Sequence, residues 1–168
     1  ASVLLERIRA EKLQMVKDGK LKQKDIKDDT IIFLGDDNLH YEKFADGSAK
    51  CIEDEIPFEI PKSWVWCRLN SCVDVRDGTH DTPKYVLSGV PLITSKNLSE
   101  GGIDYSNVKY ISKEDSLAIN ERSGVDIGDI LFAMIGTIGN PAMVKDSTFM
   151  SIKNVVLIKF TYSLNLYN

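Results

Sequence analysis

Apolar residues return at helical spacing through ASVLLERIRAEKLQMVKDG, where Leu4, Leu5, Ile8, Met15 and Val16 are set among Glu, Lys and Arg. The spacing predicts a helix stopped at Gly19, with Ser2 as its N-cap. A single apolar stripe on so charged a helix needs a partner, either the chain's own sheet or another helix. KLKQKDIKDD is then a charged connector. IIFLGDDNLHYEKF reads as a strand, a turn at Gly35, Asp36, Asp37 and Asn38, and a second strand, together a small hairpin. In CIEDEIPFEIPKSW acidic and apolar residues alternate between Pro57 and Pro61, which block helix and favour an extended strap.

From Trp64 onward the pattern is mostly β. WVWCRL, VPLITSKNL, VKYIS, DILFAMIG, AMVKD and NVVLIKF are rich in β-branched and aromatic residues and are separated by Gly, Asn and Asp turns. SKEDSLAINERSG interrupts them as a helix, with Ser112 as cap and Glu114 and Asp115 in the first turn. The expected organisation is residues 1–29 as helix and charged connector, 30–61 as hairpin and Pro-flanked strap, and 62–168 as a sheet-dominated α+β domain. VRDGTHDTPKY, Val75 to Tyr85, stands out as a polar loop inside that domain.

Charge refines the picture by its distribution. The net charge is −4, yet residues 1–29 carry 8 basic and 6 acidic groups, 30–61 carry 2 and 8, and 62–168 carry 11 and 11. The acidity sits in the middle segment, which leaves room for a locally basic face on the last one. Cys51, Cys67 and Cys72 are odd in number and lack C-x-x-C spacing, so reduced thiols are expected rather than a disulfide framework or zinc site. No apolar run approaches the roughly 20 residues of a membrane span, and the N-terminus lacks a signal-peptide pattern. Cytoplasmic residence without a membrane partner is the expectation. The start at Ala1 and the stop within SLNLYN suggest a fragment of a longer protein.

Catalytic motifs are scarce. Only two histidines are present, His40 and His80, and the adjacency of His80 and Asp81 in sequence does not make a nucleophilic triad. GTIGNPAM has two glycines but neither G-x-G-x-x-G nor G-K-[ST], and it reads as a tight turn between strands. Its Asn140-Pro141 is faintly similar to the N-P-P-[YF] signature of adenine-N6 methyltransferases, but Ala142 and Met143 replace the second Pro and the aromatic. Asp36-Asp37 and Glu53-Asp54-Glu55 lack the pairing that would aim them at one ion and read as solvated surface.

Several stretches in order, LLERIRAEK with GKLKQKD, IIFLGDDN, EIPFEIPKSWVWCRL, DGTHDTPKY, VPLITSKNL, GGIDYSNVKYIS and GDILFAMIGTIG ending in NVVLIKF, resemble the DNA-specificity subunit of type I restriction-modification systems. The resemblance implies one target-recognition domain, reading half of a bipartite double-stranded DNA sequence, preceded by part of a long amphipathic helix. It also implies a noncatalytic chain without cofactors of its own. Modification subunits would bring S-adenosylmethionine and methylate adenine. Restriction subunits, engaged indirectly, would use ATP.

Base reading needs directional donors and acceptors on projecting loops, with cations nearby for phosphates. Two clusters qualify. In the first, Arg76 suits guanine, Asp77 suits cytosine N4, and Thr79 and His80 suit bases or phosphates. Gly78 is expected at positive φ, Thr82-Pro83 stiffens the exit, and Lys84 suits a phosphate. In the second, Thr94 and Ser95 suit phosphate or base, Lys96 suits phosphate, and Asn97 suits adenine or caps a strand end. Trp64, Trp66, Tyr85 and Tyr110 read as core or interface. Two other classes remain: a protein-interaction module working through the N-terminal helix, and the recognition part of a fused modification-restriction enzyme.

Overall fold

The computed structural model describes residues 1–100, 102–136 and 138–161, and the terminal SLNLYN lies outside them. The chain is mixed α and β, rich in antiparallel sheet, and divides into two compact units, Ala1–Val73 with Thr161, and Asp74–Phe160. None of the described helices is long and apolar enough to cross a membrane.

The first unit opens with α1, Ser2–Lys17. Its N-cap is Ala1, and no side chain caps it, so Ser2 is the first helical residue and not the expected cap. The expected stripe is the sheltered face in the main: Ile8 is buried and Leu5, Met15 and Val16 are half-buried, while Leu4 is exposed. Lys12 is buried with them. Lys12 lies 1% exposed because its Nζ finds both carboxylate oxygens of Asp29, at 2.9 and 2.8 Å, and the Asn70 carbonyl at 2.9 Å. A buried ammonium is tolerated only with such partners.

β1 (Ile31–Leu34) and β2 (His40–Lys43) pair antiparallel around the expected Gly35–Asn38 turn, in the register Leu34↔His40. The turn is secured by Asp37, which accepts from the Leu39 amide and the Tyr41 hydroxyl, and Asn38 takes positive φ of 63°. A third strand, β3 (Ala49–Cys51), extends the hairpin into a meander. Its sequence signal is the Asp46-Gly47 turn, where Gly47 sits at φ 87°.

WVWCRL is not the expected strand. Residues 64–68 form no strand and lead, through an extended Arg68, into a short helix, α2 (Leu69–Cys72). Side-chain bonds hold this stretch against the meander. Arg68 donates to both carboxylate oxygens of buried Glu42, at 2.9 and 2.5 Å, and pairs with Glu55 at 2.7 Å. Glu42 also accepts from the Thr30 hydroxyl at 2.5 Å, while Phe58 and Trp66 stack at a tilt with centroids 5.3 Å apart. Glu53 and Glu55 are therefore structural acceptors, not purely solvated carboxylates, since Glu53 also binds the His40 amide and ring. These bonds put 62–73 in the first unit, whereas the sequence pattern places the boundary at residue 62.

The second unit contains β4 (Asp74–Asp77), β5 (Tyr85–Val86), β6 (Val90–Ile93), β7 (Leu98–Ser99), β8 (Gly102–Ile103), β9 (Lys109–Ile111), α3 (Lys113–Ser123), β10 (Ile130–Ala133), β11 (Gly139–Met143), β12 (Ser151–Ile152) and β13 (Val155–Lys159). One sheet has the order β11-β10-β13-β4, all antiparallel. The other has the order β12-β6-β9-β5, with β12 parallel to β6. β7 and β8 form a separate two-stranded ribbon. The strand expected over AMVKD lies earlier, at Gly139–Met143, so GNPAM is strand and not turn. The left-handed Asn140 (φ 48°) and a register shift opposite Leu131–Ala133 let it pair despite Pro141.

β13 alternates its burial, and Val155 and Leu157 join Leu131, Ala133, Ile93, Ile152 and Met150 in one core. Lys159 ends this strand inward, donating to Asp129 at 2.5 Å, Asp126 at 2.9 Å and the Gly124 carbonyl. α3 begins as expected, with the Ser112 hydroxyl accepting from the Asp115 amide. It is tied to β12 by a buried bond between the Ser116 and Ser151 hydroxyls, 2.8 Å.

The Arg68 hydrogen bonds hold the Glu42 carboxyl down to about 2, against its own burial, which raises it. A carboxyl depressed on folding stabilises above its unfolded range near 4.5 and loses that contribution as pH falls toward about 2. Arg68→Leu should cost about 3 kcal/mol at neutral pH by stranding Glu42, and should flatten the loss of stability between these two pH values, both read by urea denaturation. A variant that keeps the full acid dependence would show that Glu42 is not stabilised through Arg68.

Candidate nucleic-acid interface

The polar stretch VRDGTHDTPKY is half strand. β4 is an edge strand pairing with β13 in the register Asp77↔Val156 and Arg76↔Leu157. The Arg76 guanidinium is turned onto its own domain. Nε and one terminal nitrogen reach Asp74 at 2.9 and 2.6 Å, and the other reaches the Arg122 carbonyl at 3.2 Å. Asp77 is exposed at the strand end, and its carbonyl, like that of Gly78, accepts from Arg122.

Gly78 does not take the expected positive φ, as it is absent from the left-handed glycines among the described residues. Close approach is the reason for glycine here. A Cβ would lie 2.7 Å from the Ile152 carbonyl oxygen and 2.9 Å from its carbon. The contact belongs to a main-chain joint. The Gly78 amide donates to the Val155 carbonyl, Thr79 to Ile152, Asn154 to Thr79 and Lys153 to Ile93. Beyond it His80 is exposed with Nδ1 3.0 Å from Asn154 Oδ1, and Lys153 Nζ meets the Thr82 hydroxyl. His80 and Asp81 border a shallow hollow with Thr79, Ala118, Ile119 and Arg122.

The second cluster folds as a short 3-10 turn, Ser95–Asn97, following β6. Asn97 is buried. Its Oδ1 accepts from the Thr94 amide at 3.0 Å and hydroxyl at 2.9 Å, and its Nδ2 donates to the Asp104 carbonyl at 3.2 Å. The capping role anticipated for it is the one the geometry uses. Thr94 and Ser95 are half-buried, and Lys96 is exposed.

These residues line an open cleft of about 440 Å³. Its walls come from four loops: Thr94–Asn97, the segment with Asp104 and Asn107 leading to Lys109, the turn holding Asn154, and Ile135 after β10, with Tyr85 at β5. Two ammonium groups, three hydroxyls, the amides of Asn97, Asn107 and Asn154 and the Asp104 carboxylate thus line it beside the aliphatic side chains of Leu92 and Ile135. The two ammonium groups of such a set can bind anionic oxygens, and its hydroxyls, amides and carboxylate can satisfy directional hydrogen bonds. Among the described residues no group of three His, Cys, Asp or Glu could hold a metal ion. Through the Asn154–His80 contact, the cleft adjoins the first cluster, so Thr79, His80, Thr94, Ser95 and Lys96 occupy neighbouring surface. Lys84 is exposed next to Tyr85.

Asn107, Lys109, Ile135 and Asn154 were not singled out by sequence. They are scattered over 48 positions, and only the loop convergence unites them. Asn154 had one local cue, an Asn between two strand patterns, which suits its left-handed φ of 53°.

Gly78→Ala is expected to lower stability by about 1–3 kcal/mol, because the added methyl meets main chain that cannot swing aside. Asn97→Ala should cost a similar amount, about 1–3 kcal/mol, by leaving buried groups unpaired. Thermal denaturation checks both; unchanged midpoints would remove the joint and the capped turn from the account of the cleft.

Two curated proteins of Escherichia coli match the chain. The Type I restriction enzyme EcoAI specificity subunit is 30% identical over 115 residues, 68% of this chain and 16% of that subunit. The Type I restriction enzyme EcoBI specificity subunit is 27% identical over 107 residues, 61% of this chain and 22% of that subunit. The chain therefore spans only about a fifth of the length of these relatives. No family model matches it.

Proposed function

We propose, from this kinship with the specificity subunits of type I restriction enzymes, that the Asp74–Phe160 unit is a noncatalytic reader of double-stranded DNA. The observation that carries the reading is the cleft itself. Lys96 and Lys109 stand beside hydroxyls and the amides of Asn107 and Asn154, a combination matched to phosphate oxygens and base edges together. Lys96, Lys109 and Lys84 take phosphates. Thr94, Ser95, Asn107, Asn154 and His80 take base edges or sugar oxygens, with Thr79 at their margin. Arg76, Gly78 and Asn97 hold the surface in place through the bonds and close contact described above, and exposed Asp77 borders it.

In this reading the unit serves half of a bipartite target, and α1 continues a longer helix that docks modification subunits. Those partners supply S-adenosylmethionine and methylate adenine, and restriction subunits joined to them use ATP. The chain needs no cofactor of its own.

The test is competition binding of the chain, with its modification subunit, to a pool of random duplexes at low and moderate salt. Enrichment of one short sequence is expected, and a pool that emerges unselected sinks the proposal. Lys96→Ala should weaken all duplexes alike and lower the slope of log affinity against log salt by about 0.9, one phosphate's worth. Asn107→Ala should instead cost about 1–3 kcal/mol on the selected duplex and relax one base position. Equal losses on selected and random DNA would make Asn107 a backbone contact.

A further inference from the structure

Three thiols are free, and two of them face each other. Cys67 precedes α2 and Cys72 is its last residue, and their sulfurs lie 3.1 Å apart, with the Cys72 thiol donating to Cys67. Sulfurs this close need to approach by only about 1 Å to reach bonding distance. The two differ in access. Cys67 is exposed and meets solvent, while Cys72 is half-buried, and burial followed by the hydrogen bond to Cys67 pushes its thiol up to about 12. Cys51 lies apart on β3, facing Tyr41 in the ladder.

We infer that Cys67 and Cys72 are an oxidative modification site, closing to a reversible disulfide when the chain meets hydrogen peroxide. The exposed Cys67 sulfur, as thiolate, attacks one peroxide oxygen. The O–O bond breaks, and the second oxygen leaves with a proton as water, so Cys67 becomes a sulfenic acid. The Cys72 sulfur, giving up its proton, then attacks the Cys67 sulfur. The S–O bond breaks and a second water departs. Two thiols are oxidised by two electrons in total, and one peroxide is reduced to two waters.

The division of labour follows from position. The oxidant reaches exposed Cys67 first, and Cys72, already in contact, gives up its proton as it attacks the sulfenic sulfur before a second peroxide does. The bond would clamp α2 across its length. That helix supplies the Asn70 carbonyl to buried Lys12 and the Ser71 hydroxyl to the Thr30 amide, at 2.9 and 3.3 Å. Oxidation thus acts on the junction of α1, α2 and the meander inside the first unit.

The experiment treats the reduced full chain with a small excess of hydrogen peroxide, followed by intact mass and peptide mapping without reductant. The expected product is lighter by about 2 Da, the two hydrogens lost, with Cys67 joined to Cys72, Cys51 still alkylatable, and full reversal by dithiothreitol. A chain that instead gains oxygen at Cys67, or crosslinks through Cys51, or keeps all three thiols alkylatable overturns the inference. C51S should oxidise as the parent does. C72S should stop at a Cys67 sulfenic acid trapped by dimedone; if C72S fails to fold, the parent mass and map still decide.

Discussion

The surface of the second unit depends on one main-chain crossing, the segment Met150–Asn154. β12 within it pairs parallel with β6, and its continuation turns at left-handed Asn154 to enter β13 of the other sheet. The Lys153 amide then bonds to Ile93, and Thr79 exchanges bonds with Ile152 and Asn154. Ile152 and Ile93 are buried, so their carbonyls have no water to fall back on and depend on these bonds. The same few residues therefore join two sheets, seat the DGTH stretch and fix one wall of the cleft.

That crossing explains why small residues recur beside it. Gly78 leaves room for the Ile152 carbonyl, and Ser151 and Ser116 let α3 approach β12 closely enough to share a hydroxyl bond. The cleft is then surrounded by short turns whose polar groups are tied down from beneath, as Asn97 ties Thr94 to Asp104. Side chains presented from such turns have little conformational freedom left to lose.

The first unit is organised by buried charge. Lys12 with Asp29, and Glu42 with Arg68, are each enclosed by specific partners, and enclosing an ion without them costs several kcal/mol. Geometry of this kind selects one arrangement of helix, meander and strap. It also accounts for the assignment of Trp64–Cys72 to this unit, since Arg68 and Asn70 are partners to residues far earlier in the chain. Lys159 between Asp126 and Asp129 repeats the principle in the second unit.

Sequence by itself determined the elements whose cues are local. Alternation in NVVLIKF, the Ser112 cap with acidic first turn, and the Gly35–Asn38 turn each rest on neighbours within a few residues, and each takes the expected form. The mixed, sheet-rich class and the kinship with specificity subunits were likewise legible there. Only tertiary structure decided that WVWCRL would form no strand, that Arg76 would turn onto Asp74, and that Gly78 serves close approach. It alone decided that residues from Tyr85 to Asn154 share one cleft. The reason is physical: propensity and capping act through adjacent bonds, whereas the partner of a buried charge and the atom facing a glycine are set by segments that meet only when the chain has folded.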